Sequence, residues 1–281
     1  NRTKAAVVEA LKIGPKPVAM VDVDGDGDLV INVVNSRETS VLRSAGPLSL
    51  RTIHGTHVST GLYLSRLRIM GSEMVEVGEP DFLYINDGGG TFTKVNWTDG
   101  NWLDEKGEPI KKEFWDLGLS VMIRDVNQDG RPDIYVCNDF QTPDRFWINL
   151  GDGKFRLIDE LALRHRSYFA MAADFADINR DGHDDFFVAD MMSPTHLLEM
   201  TQIMITNPLA KPIDELIDRP IIHRNTLLVN RGDNSYTDTA NFSGVAATEW
   251  TWGATFLDVD LDGLEDLLIA NGHAFDTQNL D

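Results

Sequence analysis

The sequence predicts an all-β fold, a β-propeller with four to five visible blades, on three observations. A nine-residue acidic loop recurs four times, short apolar strands flank every copy, and glycine hairpins follow three of them. The loops read DVDGDGDLV from Asp22, DVNQDGRPD from Asp125, DINRDGHDD from Asp177 and DVDLDGLED from Asp258. A fixed local pattern repeated along a chain is the mark of a repeat architecture.

Each loop is followed at once by an apolar run, LVINVV, IYVCN, FFVAD or LLIAN, and preceded by VAMV, LSVMI, YFAMAADFA or WGATFL. These runs are rich in β-branched and aromatic residues, bounded by turn formers and too short for helices, so they read as buried strands. Downstream, NDGGGTF from Asn86, NLGDGKF from Asn149 and NRGDNSY from Asn230 place glycines between further apolar runs, as tight hairpins require. The cleanest copy therefore holds four strands, LSVMI, IYVCN, RFWI and FRLI, which is the content of one propeller blade.

Loop starts lie 103, 52 and 81 residues apart. The middle spacing fits one blade. The last fits a blade plus an insertion at residues 193–224, where Ser193 as cap and Pro194 in the first turn suggest a short helix. The first spacing fits either one blade with a long insertion or two blades, one lacking an acidic loop.

Alternating Asp and Asn put hard oxygen donors on the inside of a turn, and Ca2+ takes six to eight of them. The first loop offers Asp22, Asp24, Asp26 and Asp28, with Val30 where the others carry an acid. The second offers Asp125, Asn127, Asp129, Asp133 and the carbonyl of Arg131; the third Asp177, Asn179, Asp181, Asp185 and the carbonyl of His183; the fourth Asp258, Asp260, Asp262, Asp266 and the carbonyl of Leu264. Three to four ions are expected. An EF-hand needs a bidentate Glu at position twelve on an exiting helix, whereas position twelve here is Val33, Val136, Val188 or Ile269. Sixteen carboxylates fall within the four loops, and such crowding is destabilising without a counter-ion.

These residues resemble the FG-GAP/VCBS repeat family, and more narrowly its ASPIC/UnbV (cartilage acidic protein-like) group, over roughly Pro17 to His273. The most specific segment is TEWTWGATFLDVDLDGLEDLLIANGH, Thr248 to His273, with FWINLGDGKF and NTLLVNRGDNSY similar to the group's hairpin strands. The incomplete first loop and the segment from about Arg37 to Glu79 depart from the pattern. The resemblance implies a propeller similar to the integrin α-subunit head, with its calcium loops, commonly seven-bladed and found in secreted or surface proteins with adhesive roles. The pattern covers 1–281 as one propeller and leaves the last blade after two strands. Either the chain belongs to a longer protein, or residues 5–13 (AAVVEALKI) complete that blade.

The formal charge of −20 disfavours nucleic acid and anionic membrane surfaces as partners and favours cations. No apolar run is long enough for membrane insertion. A lone cysteine, Cys137, excludes an intrachain disulfide framework and reads as a buried, inert thiol. Asn1, Asn96 and Asn241 lie in glycosylation sequons.

No phosphate-cradling loop, GxSxG elbow, HExxH or CxxC is present, so the reading is a non-catalytic module that binds a protein or carbohydrate surface ligand through adhesion or scaffolding. Millimolar external calcium fills weak sites that cytosolic calcium cannot, which favours an extracellular, cell-surface or periplasmic location. One alternative is a polysaccharide lyase or hydrolase using His54, His57, His165 or His223, with Trp250 and Trp252 stacking on sugar. The plainer readings are a solvated loop for HGTH, a charged surface for His165, and packing between blades for both tryptophans. A second alternative is an architectural subunit of a cell-envelope assembly, with neighbouring subunits as partners.

Overall fold

The computed structural model describes residues 17–23, 27–35, 49–53, 56–60, 66–70, 73–140, 142–197 and 219–272. The chain begins with β1 (Val18–Val21) and β2 (Val30–Val33), then two hairpins, β3 (Ser49–Ile53) with β4 (Thr56–Thr60) and β5 (Leu67–Met70) with β6 (Glu73–Glu76). It continues through β7 (Phe82–Asn86), β8 (Phe92–Val95), β9 (Trp102–Leu103), β10 (Gly118–Arg124), β11 (Asp133–Asn138), β12 (Arg145–Gly151) and β13 (Lys154–Leu157). The last elements are β14 (Arg166–Ser167), β15 (Ala172–Ala176), β16 (Asp185–Ala189), β17 (Ile221–Ile222), β18 (Thr226–Asn230), β19 (Tyr236–Asp238), β20 (Thr251–Leu257) and β21 (Asp266–Asn271).

The strands assemble as an all-β, propeller-like series of antiparallel sheets, ordered β1-β2-β7-β8, then β10-β11-β12-β13 with β9 added, then β15-β16-β18-β19, then β20-β21. Every acidic loop joins the first strand of a sheet to the second. Because β2 pairs with β7, the long first spacing is one sheet with the two hairpins inserted between its second and third strands. Strand β9 was not expected from the sequence. It is two residues long and adds to β13 in parallel, Trp102 opposite Phe155. The segment expected as a helical insertion, 193–224, lies between β16 and β18 and contains the short strand β17. Its described part reaches helical backbone at His196 and Leu197, and 198–218 lie outside the described residues.

Side chains alternate across a strand, so a sheet packed on both faces needs apolar residues at every position of its central strand. Strands β2, β11 and β16 are buried at every residue and apolar throughout except at Asn32, Asp133, Asn138 and Asp185. Ile134 and Val136 of β11 face the first sheet with Trp147, Phe155, Leu83 and Val95, while Tyr135 and Cys137 face the third with Phe175, Phe186 and Leu228. In β16, Phe186 and Val188 look back to the second sheet, and Phe187 and Ala189 look forward to Ala254, Phe256, Leu267 and Ile269. Aromatic rings concentrate between the first two sheets, with Trp102 centred 4.8 Å from Trp147 and 5.1 Å from Phe155. Each such ring pair adds about 0.5–1.5 kcal/mol beyond the area it buries.

Two ionic latches hold segments that the ladders leave out. Arg145 of β12 donates to both carboxylate oxygens of Asp116, at 2.8 and 3.0 Å, beneath the ring of Phe114. Both partners are buried. The D116A variant strands that guanidinium in the core and is expected to cost about 3–5 kcal/mol, measured by urea unfolding. A loss under about 1 kcal/mol would remove the pair from the stability of this sheet.

The second latch is Asp238, which accepts from His165 Nε2 at 2.9 Å and Arg224 Nη2 at 2.5 Å, and from the Ala240 amide. Burial raises its pKa, but the bonds from His165 and Arg224 outweigh it and hold the carboxyl well below its usual value of 3.8. A carboxyl with a depressed folded pKa stabilises the fold above its unfolded pKa, and that contribution fades as pH falls further. Stability measured from pH 6 downward should therefore drop below about pH 4, and D238N should flatten that part of the acid limb. An unchanged limb in D238N would show that the latch carries no pH dependence.

Candidate functional site: the acidic loops

One hydrogen-bond plan shapes all four loops. The first Asp accepts the amide of the glycine five residues on, at 2.9 Å for Asp22 and Gly27, 2.8 Å for Asp125 and Gly130, and 2.9 Å for Asp177 with Gly182 and Asp258 with Gly263. Those glycines sit at φ of +91°, +83°, +88° and +84°, a region that L side chains rarely adopt. The fourth position is also left-handed in three loops, at Gln128, Arg180 and Leu261. The fifth residue accepts the amide of the seventh, Asp129 from Arg131, Asp181 from His183 and Asp262 from Leu264. The loops exit into β2, β11, β16 and β21, with Val33, Val136, Val188 and Ile269 inside those strands.

The expected donors divide by position. Asp258, Asp260 and Asp262 each bring a carboxylate oxygen within 4.8 Å of the others. The second and third loops carry Asn127 and Asn179 in the middle, each accepting the amide of the Asp two residues on. In the second loop, Arg131 also pairs with Asp129 at 2.5 Å. Asp24 and Asp26 lie outside the described residues. Asp28 is half-buried, and Val30, at the ninth position of that loop, is spent on the core.

The ninth-position acids do more than face the loop. Asp133 is buried, accepting from the Val126 amide at 3.1 Å and the Asn149 amide at 2.7 Å, and so ties its loop to the third strand. Asp185 accepts from the Asn230 amide at 2.7 Å. Burial pushes Asp133 up to about 7 and Asp185 to about 6, with the loop's other acids raising both further. Asp258 Oδ1 is buried with no hydrogen-bond donor. A carboxylate oxygen without a donor, among other carboxylates, is costly unless a cation stands beside it. The all-oxygen donor set is of the type that suits hard cations and not soft ones.

The loops also touch one another along one rim. Arg124 donates to both oxygens of Asp184 in the next sheet's loop, at 2.5 and 3.0 Å, and the Gln128 amide donates to the Gly182 carbonyl.

The asparagines that open the glycine hairpins serve as lateral clasps, a role that sequence reasoning missed. Asn149 Nδ2 donates to the Val23 carbonyl in the first loop at 2.7 Å, and Asn230 Nδ2 to the Val126 carbonyl in the second at 3.5 Å. The second and third sheets thus each grip the loop of the sheet before. A second missed device closes the far end of the first three of these sheets. The amides of Asn35, Asn138 and Asp190, at or just past the ends of the second strands, donate to Asp81, Asp144 and Asn225, just before the third, at 2.6, 2.8 and 2.7 Å. The signal was present: an Asp or Asn stands five residues before each hairpin Asn.

The candidate catalytic residues do not converge on a common site. His165 is held by Asp238, and His223 lies 3.2 Å from the Met191 carbonyl and 3.5 Å from Asp190. His165 is thus half-buried in a latch and not part of a charged surface. His54, and the side chain of His57, lie outside the described residues. Trp250 packs on Phe169, Met171 and Met191 as expected, whereas Trp252 is 54% exposed, its indole N–H donating to the Gly272 carbonyl. Cys137 is fully buried, and burial pushes its thiol up, which makes it a poor nucleophile. Among the described residues no helix is long and apolar enough to cross a membrane.

The family of FG-GAP-like repeats matches residues 125–188, which span the second and third acidic loops and the strands between them. No curated protein matches the sequence. Among solved structures, the chain is similar to a lectin of Agrocybe aegerita described as recognising non-reducing terminal N-acetylglucosamine, at 14% identity and a TM-score of 0.34. That alignment covers 90% of this chain and 60% of the lectin chain.

Proposed function

We propose that this chain is a non-catalytic, extracellular calcium-binding β-propeller that acts as a protein- or carbohydrate-binding, adhesion or scaffolding module. The observation that carries the reading is the donor-less, buried carboxylate oxygen of Asp258, in a loop where Asp258, Asp260 and Asp262 gather carboxylate oxygens within 4.8 Å of one another. Calcium accepts irregular sets of six to eight oxygens, whereas magnesium demands a tight octahedron and keeps its water. When bound, the ion supplies the positive charge that these carboxylates lack. The side chains at positions one, three, five and nine, with the carbonyls of Arg131, His183 and Leu264, would hold it. Four ions would bring the formal charge from −20 to −12.

The FG-GAP-like match supports a repeat built around such loops. The ASPIC/UnbV resemblance of Thr248 to His273, and the likeness to integrin calcium loops, belong to the same proposal. External calcium in the millimolar range suits sites of this exposure, and the sequons at Asn96 and Asn241 fit a secretory route. In this reading the ion fixes the rim, and recognition is left to the surface that the rim and the strand connections present.

Metal analysis of the chain dialysed against 1–5 mM calcium, the millimolar external range, is expected to return three to four ions. Each site saturated at about 100 times its Kd adds about 2.7 kcal/mol to the folded state, so chelator should lower the Tm by many degrees. D260A should lose one ion and part of that shift. An identical melting curve in calcium and in chelator would overturn the calcium reading. Release of product from acidic or neutral polysaccharides, with calcium present, would overturn the non-catalytic one.

A further inference from the structure

We infer that the wedge between the second and third sheets is a binding site for a single neutral sugar ring, a hexose or an N-acetylhexosamine. A cavity of about 140 Å3 opens there, beside the second acidic loop. Its apolar wall is Val126, Ile148, Ile158 and Ala162, and its polar groups belong to Asn127, Arg156, Asp159, Asn234 and Tyr236. One ordered water needs roughly 10–15 Å3 of such space, so the cavity holds a ring-sized molecule. The inference deepens the carbohydrate-binding side of the proposed function and rests on it.

The same positions are built differently between the first two sheets. In each sheet the hairpin Asn pairs across its turn with an aromatic residue, Asn86 with Phe92, Asn149 with Phe155 and Asn230 with Tyr236. The residue before that Asn pairs with Thr93 in the first sheet and with Arg156 in the second. Gly153 stands four residues after its hairpin Asn, as Asn234 does. Thr93, Phe155 and Gly153 of the first interface thus give way to Arg156, Tyr236 and Asn234 in the second. A Cβ added at Gly153 would touch Ile85 at 3.4 Å, so the first two sheets are in contact at that point. The segment bonded to the aromatic residue differs as well. The Phe155 amide donates to the Asn101 carbonyl and the Tyr236 amide to the Ala162 carbonyl, at 2.8 and 2.9 Å. Asn101 is followed by Trp102, whose ring stacks on Phe155 at 5.1 Å, whereas Ala162 is followed by Leu163. The smaller pair leaves open what close packing fills in the first interface.

The polar groups of the cavity select the ligand. Tyr236 is 7% exposed, and its hydroxyl makes no hydrogen bond among the described residues. Burial, with the nearby charges of Asp133, Asp184 and Asp185, raises the phenol above its usual 10.0, so the hydroxyl keeps its proton and is a donor. A buried hydroxyl without a partner is costly, and a ligand oxygen removes that cost. Arg156 forms no ion pair among the described residues. Asp159 Oδ1 accepts from the Leu161 amide at 2.8 Å, which leaves its other oxygen for a ligand. An anion drawn to Arg156 would meet Asp159 and the acidic loop, and a cation drawn to Asp159 would meet Arg156. A neutral polyol satisfies both, since each hydroxyl donates one bond and accepts others. The C–H face of the ring then lies on the apolar wall, the usual division of labour in a small-molecule pocket.

The test uses the 281-residue chain in calcium. Ligand-observed NMR titrations employ the methyl glycosides of glucose, galactose, mannose, N-acetylglucosamine and N-acetylgalactosamine, with methyl glucuronide and leucine as charged probes. Saturable binding of at least one neutral glycoside is expected, weakened about fivefold by Y236F and more than about tenfold by R156A, as loss of a neutral and of a charged hydrogen bond implies. Both variants should melt in calcium as the parent chain does. Failure of every neutral glycoside to bind, or tighter binding of glucuronide or leucine, would overturn the proposal. A neutral glycoside that binds equally well to both variants would also overturn it, while leaving the carbohydrate-binding reading in place. Metal content measured on the same sample reports the calcium reading separately.

Discussion

The structure depends on strands that are apolar on both faces. A sheet in this fold is not a wall around a core; it is the core for two neighbours at once, and every residue of β11 or β16 must satisfy one of them. That constraint explains why runs such as IYVCN and FFVA read as unbroken apolar segments instead of alternating ones. It also explains why polar groups gather at the two ends of each sheet, where strands leave the packed layer. The acidic loops occupy one end. The Asn35–Asp81, Asn138–Asp144 and Asp190–Asn225 latches occupy the other.

The rim of acidic loops is held by three kinds of bond. Backbone amides fold each loop on itself, the ninth-position acid anchors it to the third strand, and Arg124 and Gln128 tie one loop to the next. The charge that makes the loops suited to a cation is therefore carried on a scaffold of backbone amides. What remains uncompensated is the buried oxygen of Asp258, and the metal reading rests there.

Much of this was legible in the sequence because its signals are local. Acidic loops, apolar runs and glycine hairpins each lie within about ten residues, and the strands around the second and third loops fall where the periodicity places them. The parts that were not legible depend on partners far apart in the chain. Nothing near Asn149 marks Val23, 126 residues away, as its partner. Asp116 and Arg145 lie 29 residues apart with no pattern to join them. The hairpins between β2 and β7 share neither loop nor glycine signature with the repeat, so spacing alone left two arrangements open until pairing of Ile31 with Tyr84 chose between them. His165 was read as surface because its neighbours Arg164 and Arg166 are basic, yet Arg166 is buried and His165 turns to Asp238.

The lateral clasps have a direction. Asn149 and Asn230 each reach to a carbonyl made earlier in synthesis, never to one still to come. A growing chain can therefore seat every new sheet against a finished one, and the unfinished face is always the most recent. Such an order keeps the sticky surface at a single moving front, so that construction proceeds like masonry laid course upon course.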